Sequence, residues 1–462
     1  MYKIDFNEPI HIHFIGIGGI SMSGLAHVCI NLGYEVSGSD KSMSPILQKL
    51  INEGATIYIG HDESQLSEDI DLVVYTAAVK EDNPELAKAR RLKLNIIDRA
   101  QFLGDIMKKY ENSIAISGTH GKTTTTSMTT VVFNANDEDP TVLVGGNLSV
   151  IDGNVRIGKS EVFITEACEY VDSFLKFYPK IAIILNIEED HLDYFSGLEQ
   201  IEASFAKFAS QVKPDGFVIA NGDDENILNA LKDVDKTKIY FGRNENCQAI
   251  IHDEVYNSSG YATFSLSMDD KFIGRFTLQV PGKHNVLNAT AAILSAYVSK
   301  LPLDAIKTGI ESYTGVGRRF EYKGEVNGIK VYDDYAHHPT EVAATLSAAK
   351  MIKHHVLYTV FQPHTYTRTK ELLDRFAVSF NDSDVVIISD IYASREKDPG
   401  NIHSKDLVEA IKKSGKDALY IGSLDEVQNY LGSVLEPEDI VFTIGAGDVY
   451  TLGESLLHKT NS

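Results

Sequence analysis

Short runs of β-branched residues alternate with helix-length amphipathic stretches along most of this chain. Two strands that run the same way need a long return connection, and a helix satisfies its own backbone over that length. The alternation therefore calls for parallel sheets joined by crossover helices, an α/β architecture. At about 150 residues per domain, the 462 residues suggest three such units.

The first unit is expected over 1–108, with strands at 10–15, 35–38, 56–59, 72–75 and 94–97 and a helix at 21–32. A charged stretch at 107–112 closes it. The second, 109–314, has strands at 114–116, 161–165, 181–186 and 217–220, an antiparallel pair at 262–266 and 275–280, and a helix at 286–299. The third, 315–462, has strands at 329–332, 355–361, 385–389, 418–421 and 440–444.

Two of the strand-to-helix junctions are rich in glycine. The first reads Gly16-Ile17-Gly18-Gly19-Ile20-Ser21-Met22-Ser23-Gly24. Glycine lets the backbone turn tightly and approach a diphosphate, while the helix N-terminus offers N–H donors. Asp40 ends the next strand, where a carboxylate can hold ribose hydroxyls. Ser21 occupies the third glycine position of GxGxxG, a departure that favours a nucleotide diphosphate over NAD. A purely structural turn would look the same.

The second junction reads Ser117-Gly118-Thr119-His120-Gly121-Lys122-Thr123-Thr124. Backbone N–H groups in such a loop cradle phosphate oxygens, Lys122 would neutralise the β/γ charge, and the Thr123 hydroxyl would reach Mg2+. The loop is shorter than GxxxxGK[ST]; GxxGKT stands here. Glu166 and His191 lie at or beyond the ends of the strands at 161–165 and 181–186, the edge where open parallel sheets place ligands. A hard carboxylate suits Mg2+. His191 by itself reads as a hydrogen-bonding loop residue as readily as a ligand.

The charge sum, 43 basic against 65 acidic residues or −22, excludes binding of nucleic acid or anionic membrane through general basic charge. No window approaches the roughly 18 uninterrupted apolar residues of a membrane span. The N-terminal segment lacks the basic and apolar regions of a secretory leader. The three cysteines are far apart, without CxxC spacing, which fits a reducing cytoplasm rather than a disulfide framework or a zinc site.

GIGGISMSGLA, GTHGKTTTT, EACEYVDSFL, NIEEDHLDYF, PGKHNVLNATAA, GVGRRFE, DDYAHHPTE, FQPHTYTRT and TIGAGD follow one another across essentially the whole chain. Together they resemble the Mur ligases, and within that family the members that add L-alanine to UDP-N-acetylmuramate. The resemblance implies an N-terminal Rossmann-like UDP-binding domain, a central P-loop ATPase-type domain and a C-terminal Rossmann-like ligase domain. It implies ATP and Mg2+, an acyl-phosphate intermediate, and small-molecule substrates handled by a monomer or homodimer.

Residue by residue, it assigns Gly118, Thr119, His120, Gly121, Lys122, Thr123 and Thr124 to the ATP phosphates. Thr123, Glu166 and His191 go to metal. Asn285 and Asn288 go to the adenine side, Arg319 to ATP from the domain junction, and Asp334 to the ribose or phosphate. Gly18, Gly19, Ser21, Asp40 and His61 carry over to UDP, and Tyr335, His337 and Arg368 to the muramate and amino-acid end. A neutral His337 could accept the amine proton. Beside these, Arg318 reads as a solvated surface charge and His338 as structural.

Two positions depart from the family pattern: Cys168 replaces an acidic residue and Thr365 replaces an arginine found in some relatives. The lysine that other Mur ligases carbamylate falls near Phe205, with Lys207 close by. Three alternatives remain open: a ligase joining a recovered tripeptide to the same sugar nucleotide, an NAD(P) dehydrogenase built on 16–24, and a nucleotide-binding regulator without catalysis.

Overall fold

The computed structural model describes residues 10–76, 79–394 and 396–458. The first nine residues of the segment read for a leader lie outside them. Three sheets follow one another along the chain. The first is fully parallel, in the spatial order Thr56–Ile59, Glu35–Asp40, His11–Ile15, Leu72–Tyr75, Asn95–Asp98. This is the first half of a doubly wound arrangement, and the glycine loop at 16–19 leaves the central strand at its ligand edge.

The second sheet has ten strands. Its parallel centre is Phe217–Asn221, Ile181–Ile184, Asn112–Ser117, Val162–Glu166 and Thr141–Leu148. One flank continues through Lys238–Gly242 into antiparallel strands Ala249–Tyr256, Tyr261–Met268 and Lys271–Pro281, which contain the expected pair. The third sheet runs Glu321–Val326, Ile329–Asp334, Ile440–Ile444, Leu357–Phe361, Val385–Ile388, Ala418–Tyr420, antiparallel only at its first pair.

Strand alternation distributes the core. In Asn112–Ser117, Ile114 and Ile116 face a cluster under the helix Lys283–Val298, while Ala115 faces the opposite side with Phe163, Phe174 and Phe205. That second cluster also takes Ile12, Phe14 and Phe102 from the first unit. The first two units therefore share one apolar core, while the third has clusters of its own. The contact is close: a Cβ on Gly104, in the helix Arg99–Met107, would lie 2.0 Å from the carbonyl oxygen of Lys176. Phe205 is fully buried, 5.1 Å from the ring of Phe174, and Lys207 is exposed.

The helix behind the second glycine loop, Lys122–Asn134, is rich in threonine yet buried over most of its length. Ser127, Thr129 and Thr130 donate their hydroxyls to carbonyls one turn back, each at 2.8 Å. That satisfies polar groups which would otherwise be costly inside a core.

Candidate functional site

Three segments meet at the second glycine loop: the loop itself, the turn at 186–191, and the start of the helix Pro339–Ala349 in the third unit. Gly118 and Gly121 have φ of 140° and 83°, which only glycine adopts without strain. Lys122 starts the helix and folds its Nζ back onto the carbonyls of Gly118 and Thr119 and onto Glu169, whose Oε2 lies at 3.0 Å. Burial opposes the charge, but the Glu169 carboxylate outweighs it and raises the Lys122 pKa above its ordinary value. Glu169 was not anticipated, although it lies within the quoted EACEY segment.

A cavity of about 270 Å³ opens between the central and third units. Its lining brings together His120, Gly121, Thr123, Thr124, Asn285, Asn288, Arg319 and Asp334. Asn288 donates to Asn285 Oδ1 at 3.0 Å, and Asn285 donates to the carbonyl of Pro281 at 2.7 Å. The pair is thus pre-oriented, with Asn288 Oδ1 against the loop: a Cβ on Gly121 would lie 2.6 Å from it. Asp334 accepts from the backbone N–H groups of Phe320 and Ala336, at 2.9 and 2.8 Å. Burial pushes its pKa up to about 6 against the pull of Arg319.

A second cavity, about 190 Å³, lies on the other side of the 188–191 turn. It gathers His191, Tyr335, His337, His364, Thr365 and Arg368. Arg368 Nε and Nη2 reach Asp190 Oδ1 at 3.1 and 3.0 Å. His337 Nδ1 lies 3.0 Å from the Tyr335 carbonyl. A carbonyl only accepts, so Nδ1 carries the proton and Nε2 the lone pair. Burial lowers the His337 pKa to about 4 despite Glu341, so the ring is neutral near pH 7. His191 is also lowered, by burial first, with Asp190 opposing. Its ring stands 4.6 Å from that of Tyr170.

Thr123 and Glu166 converge on consecutive glycines of the strand Thr141–Leu148. A Cβ on Gly145 would lie 2.8 Å from Glu166 Oε1, and one on Gly146 would lie 3.1 Å from Thr123 Cγ2. Gly145 N–H donates to Glu166 Oε1 at 2.6 Å. Lys122 and Glu166 line neither cavity, and His191 faces the second cavity while Thr123 faces the first.

Glu341 knits the two units together. Its carboxylate accepts from the backbone N–H of His337 at 3.0 Å and stands 3.3 Å from His120 Nδ1 and 3.9 Å from Arg319 Nη1. It completes a capping box with His338 at the start of Pro339–Ala349. His338 is fully buried, 3.2 Å from the Glu189 carbonyl. Arg318 departs from expectation. It is no solvated charge: Nε donates to the buried Asp333 at 2.9 Å, Nη2 donates to the Gly445 carbonyl at 2.7 Å, and the guanidinium lies against Tyr335 and Tyr450. The reason is the antiparallel pairing of Glu321–Val326 with Ile329–Asp334, which folds 318 back over the sheet end.

The UDP candidates stand apart, in the first unit. Asp40 accepts from the Gly18 N–H at 2.8 Å, so the carboxylate closes directly on the glycine loop. Ser21 lies in the first turn of Ile20–Asn31, after Gly19 as N-cap. His61 follows the strand Thr56–Ile59, beside Asp40, whose carbonyl accepts from Gly60 N–H at 2.8 Å.

Models of three Mur ligase domains match the chain: the family's catalytic domain over 11–111, its middle domain over 116–296 and its glutamate ligase domain over 318–447. A UDP-N-acetylmuramate–L-alanine ligase of Acetivibrio thermocellus is 53% identical over 455 residues, covering 98% of this chain and 97% of the relative. One from Caldanaerobacter subterraneus is 51% identical, covering 99% of each. Among solved structures, the UDP-N-acetylmuramate–alanine ligase of Thermotoga maritima superposes with a TM-score of 0.81 at 29% identity, covering 98% of this chain and 99% of that one. A murein peptide ligase of Psychrobacter arcticus gives 0.71 at 25% identity, covering 97% and 98%.

Proposed function

The chain belongs to the Mur ligase family, and from that premise we propose that it joins L-alanine to the lactyl carboxylate of UDP-N-acetylmuramate, converting ATP to ADP and phosphate. The observation that carries this is the placement of two cavities on opposite sides of one turn. Glu188 lines the first, with the phosphate loop, and Asp190 and His191 line the second, with Arg368 and His337. A nucleotide in one and an amine in the other would meet across that turn.

A carboxylate is a poor acylating group at neutral pH. Transfer of the γ-phosphoryl group to its oxygen makes an acyl phosphate. The amine then attacks the carbonyl carbon, and phosphate leaves with the C–O bonding pair. Two anions must be brought together, so cations have to surround the transferred group. Lys122 serves this need, exchanging Glu169 for the β/γ-phosphates, and Arg319 approaches from the third unit. Mg2+, when bound, would neutralise phosphate charge; Thr123, Glu166 and His191 are the residues to hold it. The Glu166 carboxylate, which stands against Gly145, is the kind of oxygen donor that suits a hard cation. His337 Nε2 accepts a proton from the attacking amine, and Arg368 is the cation for the amino-acid carboxylate, with Asp190 as its counter-ion until then.

The first sheet, with Gly18, Gly19, Ser21, Asp40 and His61, takes the UDP moiety, and the domain divisions at 108 and 314 follow the gaps between sheets. No helix among the described residues is long and apolar enough to cross a membrane. The three cysteines are free, which supports a cytoplasmic location.

The tripeptide ligase of cell-wall recycling is the competing activity, disfavoured by about 50% identity to alanine ligases across the whole chain. Phosphate release from ATP with UDP-N-acetylmuramate decides between them. Turnover with L-alanine and not with L-Ala-γ-D-Glu-meso-diaminopimelate is expected; turnover with the tripeptide alone would overturn the assignment.

A further inference from the structure

We infer that Glu85, a residue outside every motif above, fixes His61 as the Nδ1–H tautomer, so that Nε2 offers a lone pair to the uracil N3–H; this rests on the UDP-linked substrate proposed above. Glu85 lies in the first turn of the helix Pro84–Leu92, whose side chain is fully buried beneath the first sheet's ligand edge.

Its carboxylate faces three groups. His13 Nε2 lies 2.8 Å from Oε2; His61 Nδ1 and Ser39 Oγ each lie 2.7 Å from Oε1. No lysine or arginine pairs with it among the described residues. An ionised carboxylate only accepts, so all three neighbours donate. His13 Nδ1 accepts from Ser37 Oγ at 2.8 Å, and Ser37 in turn accepts from His11 Nε2 at 2.8 Å. His11 Nδ1 ends the chain at the surface, 3.3 Å from Asp69.

With Nδ1 committed inward, His61 keeps Nε2 for the outside. Its side chain is 20% exposed, and Nε2 has no partner among the described residues. His61 and Asp40 close adjacent strands at the edge where open parallel sheets receive ligands. A lone pair there selects a donor. N3–H is the one donor a uracil ring carries; O2 and O4 only accept. Glu85 is thus a positioning residue, acting through His61.

The test uses the full chain labelled at the histidine nitrogens, with His61→Ala to identify the His61 signals. In the free protein, 15N–1H correlation should show Nδ1 protonated and Nε2 bare, and UDP should move the Nε2 resonance as it accepts a hydrogen bond. N3-methyl-UDP, which cannot donate, should bind more weakly and leave Nε2 unmoved. In Glu85→Ala, UDP binding should fall roughly threefold to tenfold, the worth of one hydrogen bond. The preference for UDP over its N3-methyl analogue should vanish, with ATP binding unchanged. An Nε2 proton on His61 in the wild-type protein overturns the inference, as does an undiminished preference in Glu85→Ala. The wild-type spectra decide the matter even if that variant does not fold. A chain that fails to bind UDP overturns the proposed activity as well; UDP bound to a His61 carrying Nε2–H overturns this inference alone.

Discussion

Arg368 holds Asp190 across 178 residues of chain, through Nε at 3.1 Å and Nη2 at 3.0 Å. One partner comes from the turn beside the phosphate loop, the other from the third unit, and both are largely buried. Burial alone would raise the Asp190 carboxyl, but the guanidinium outweighs it and holds the group far below the ordinary carboxylate range. The pair thus joins two units across the proposed reaction cleft, and opening the cleft means separating it.

Arg368→Met leaves Asp190 buried without its cation. Breaking one side of a buried pair costs about 3–5 kcal/mol. Denaturant unfolding should register that loss, and Arg368→Met/Asp190→Leu should recover a good part of it. Additive losses in the double variant would show that the two residues do not act as a pair.

Lys122→Ala removes the cation nearest the transferred phosphoryl group. Loss of one such transition-state partner typically costs about 100-fold to 1,000-fold in kcat, and steady-state phosphate release measures it. Glu169→Gln leaves the buried Lys122 with only the loop carbonyls and should lower stability, as breaking one side of a buried pair does. Wild-type kcat in Lys122→Ala would remove Lys122 from the mechanism.

Gly121→Ala places a Cβ 2.6 Å from Asn288 Oδ1, at a φ of 83°. The loop has to shift, and the KM for ATP should rise about tenfold, equivalent to about 1.4 kcal/mol. Adding Asn288→Ala relieves the clash but leaves the backbone strain, so recovery should be partial. A KM unaffected by Gly121→Ala would show that the loop tolerates a side chain there.

His284, His337 and His338 are each lowered by burial to about 4. The folded state therefore binds fewer protons than the unfolded chain between about pH 4 and the ordinary histidine value near 6.5. Stability should fall as pH drops through that window, by several kcal/mol in sum. Asp334, raised to about 6, works the other way and offsets part of the loss. Urea unfolding at a series of pH values checks the slope. A flat profile from pH 6.5 to 4.5 would mean that these rings are not held neutral.

Arg318→Met should destabilise the third unit by about 3–5 kcal/mol, because Asp333 is left buried without its cation. A solvated arginine at that position would cost almost nothing. Thermal unfolding of the full chain separates the two outcomes.

Most parallel strands at the centre of each sheet were legible because both faces are covered, and apolar β-branched runs such as Ile181–Ile184 carry that pattern without interruption. Five strands were not: Thr141–Leu148, Gly153–Arg156, Lys238–Gly242, Ala249–Tyr256 and Glu321–Val326. The first is broken by Gly145-Gly146, which bring Thr123 and Glu166 together and leave no room for side chains. Gly153–Arg156 and Glu321–Val326 are edge strands, free to carry polar residues that hide the alternation. Ala249–Tyr256 mixes buried and exposed positions around a bulge between His252 and Val255.

What the sequence alone determined were the two glycine loops, the alternating α/β pattern and the ordered motifs. Each depends on residues a few positions apart, whose geometry is set by local backbone preference. Only the folded chain decided that Lys122 rests on Glu169, that Arg368 grips Asp190, that Glu341 ties His120 to the third unit and that Glu85 commits His61. These are pairings of charges and donors over tens to hundreds of residues. Which group faces which depends on how the sheets and units pack, and no local periodicity records that.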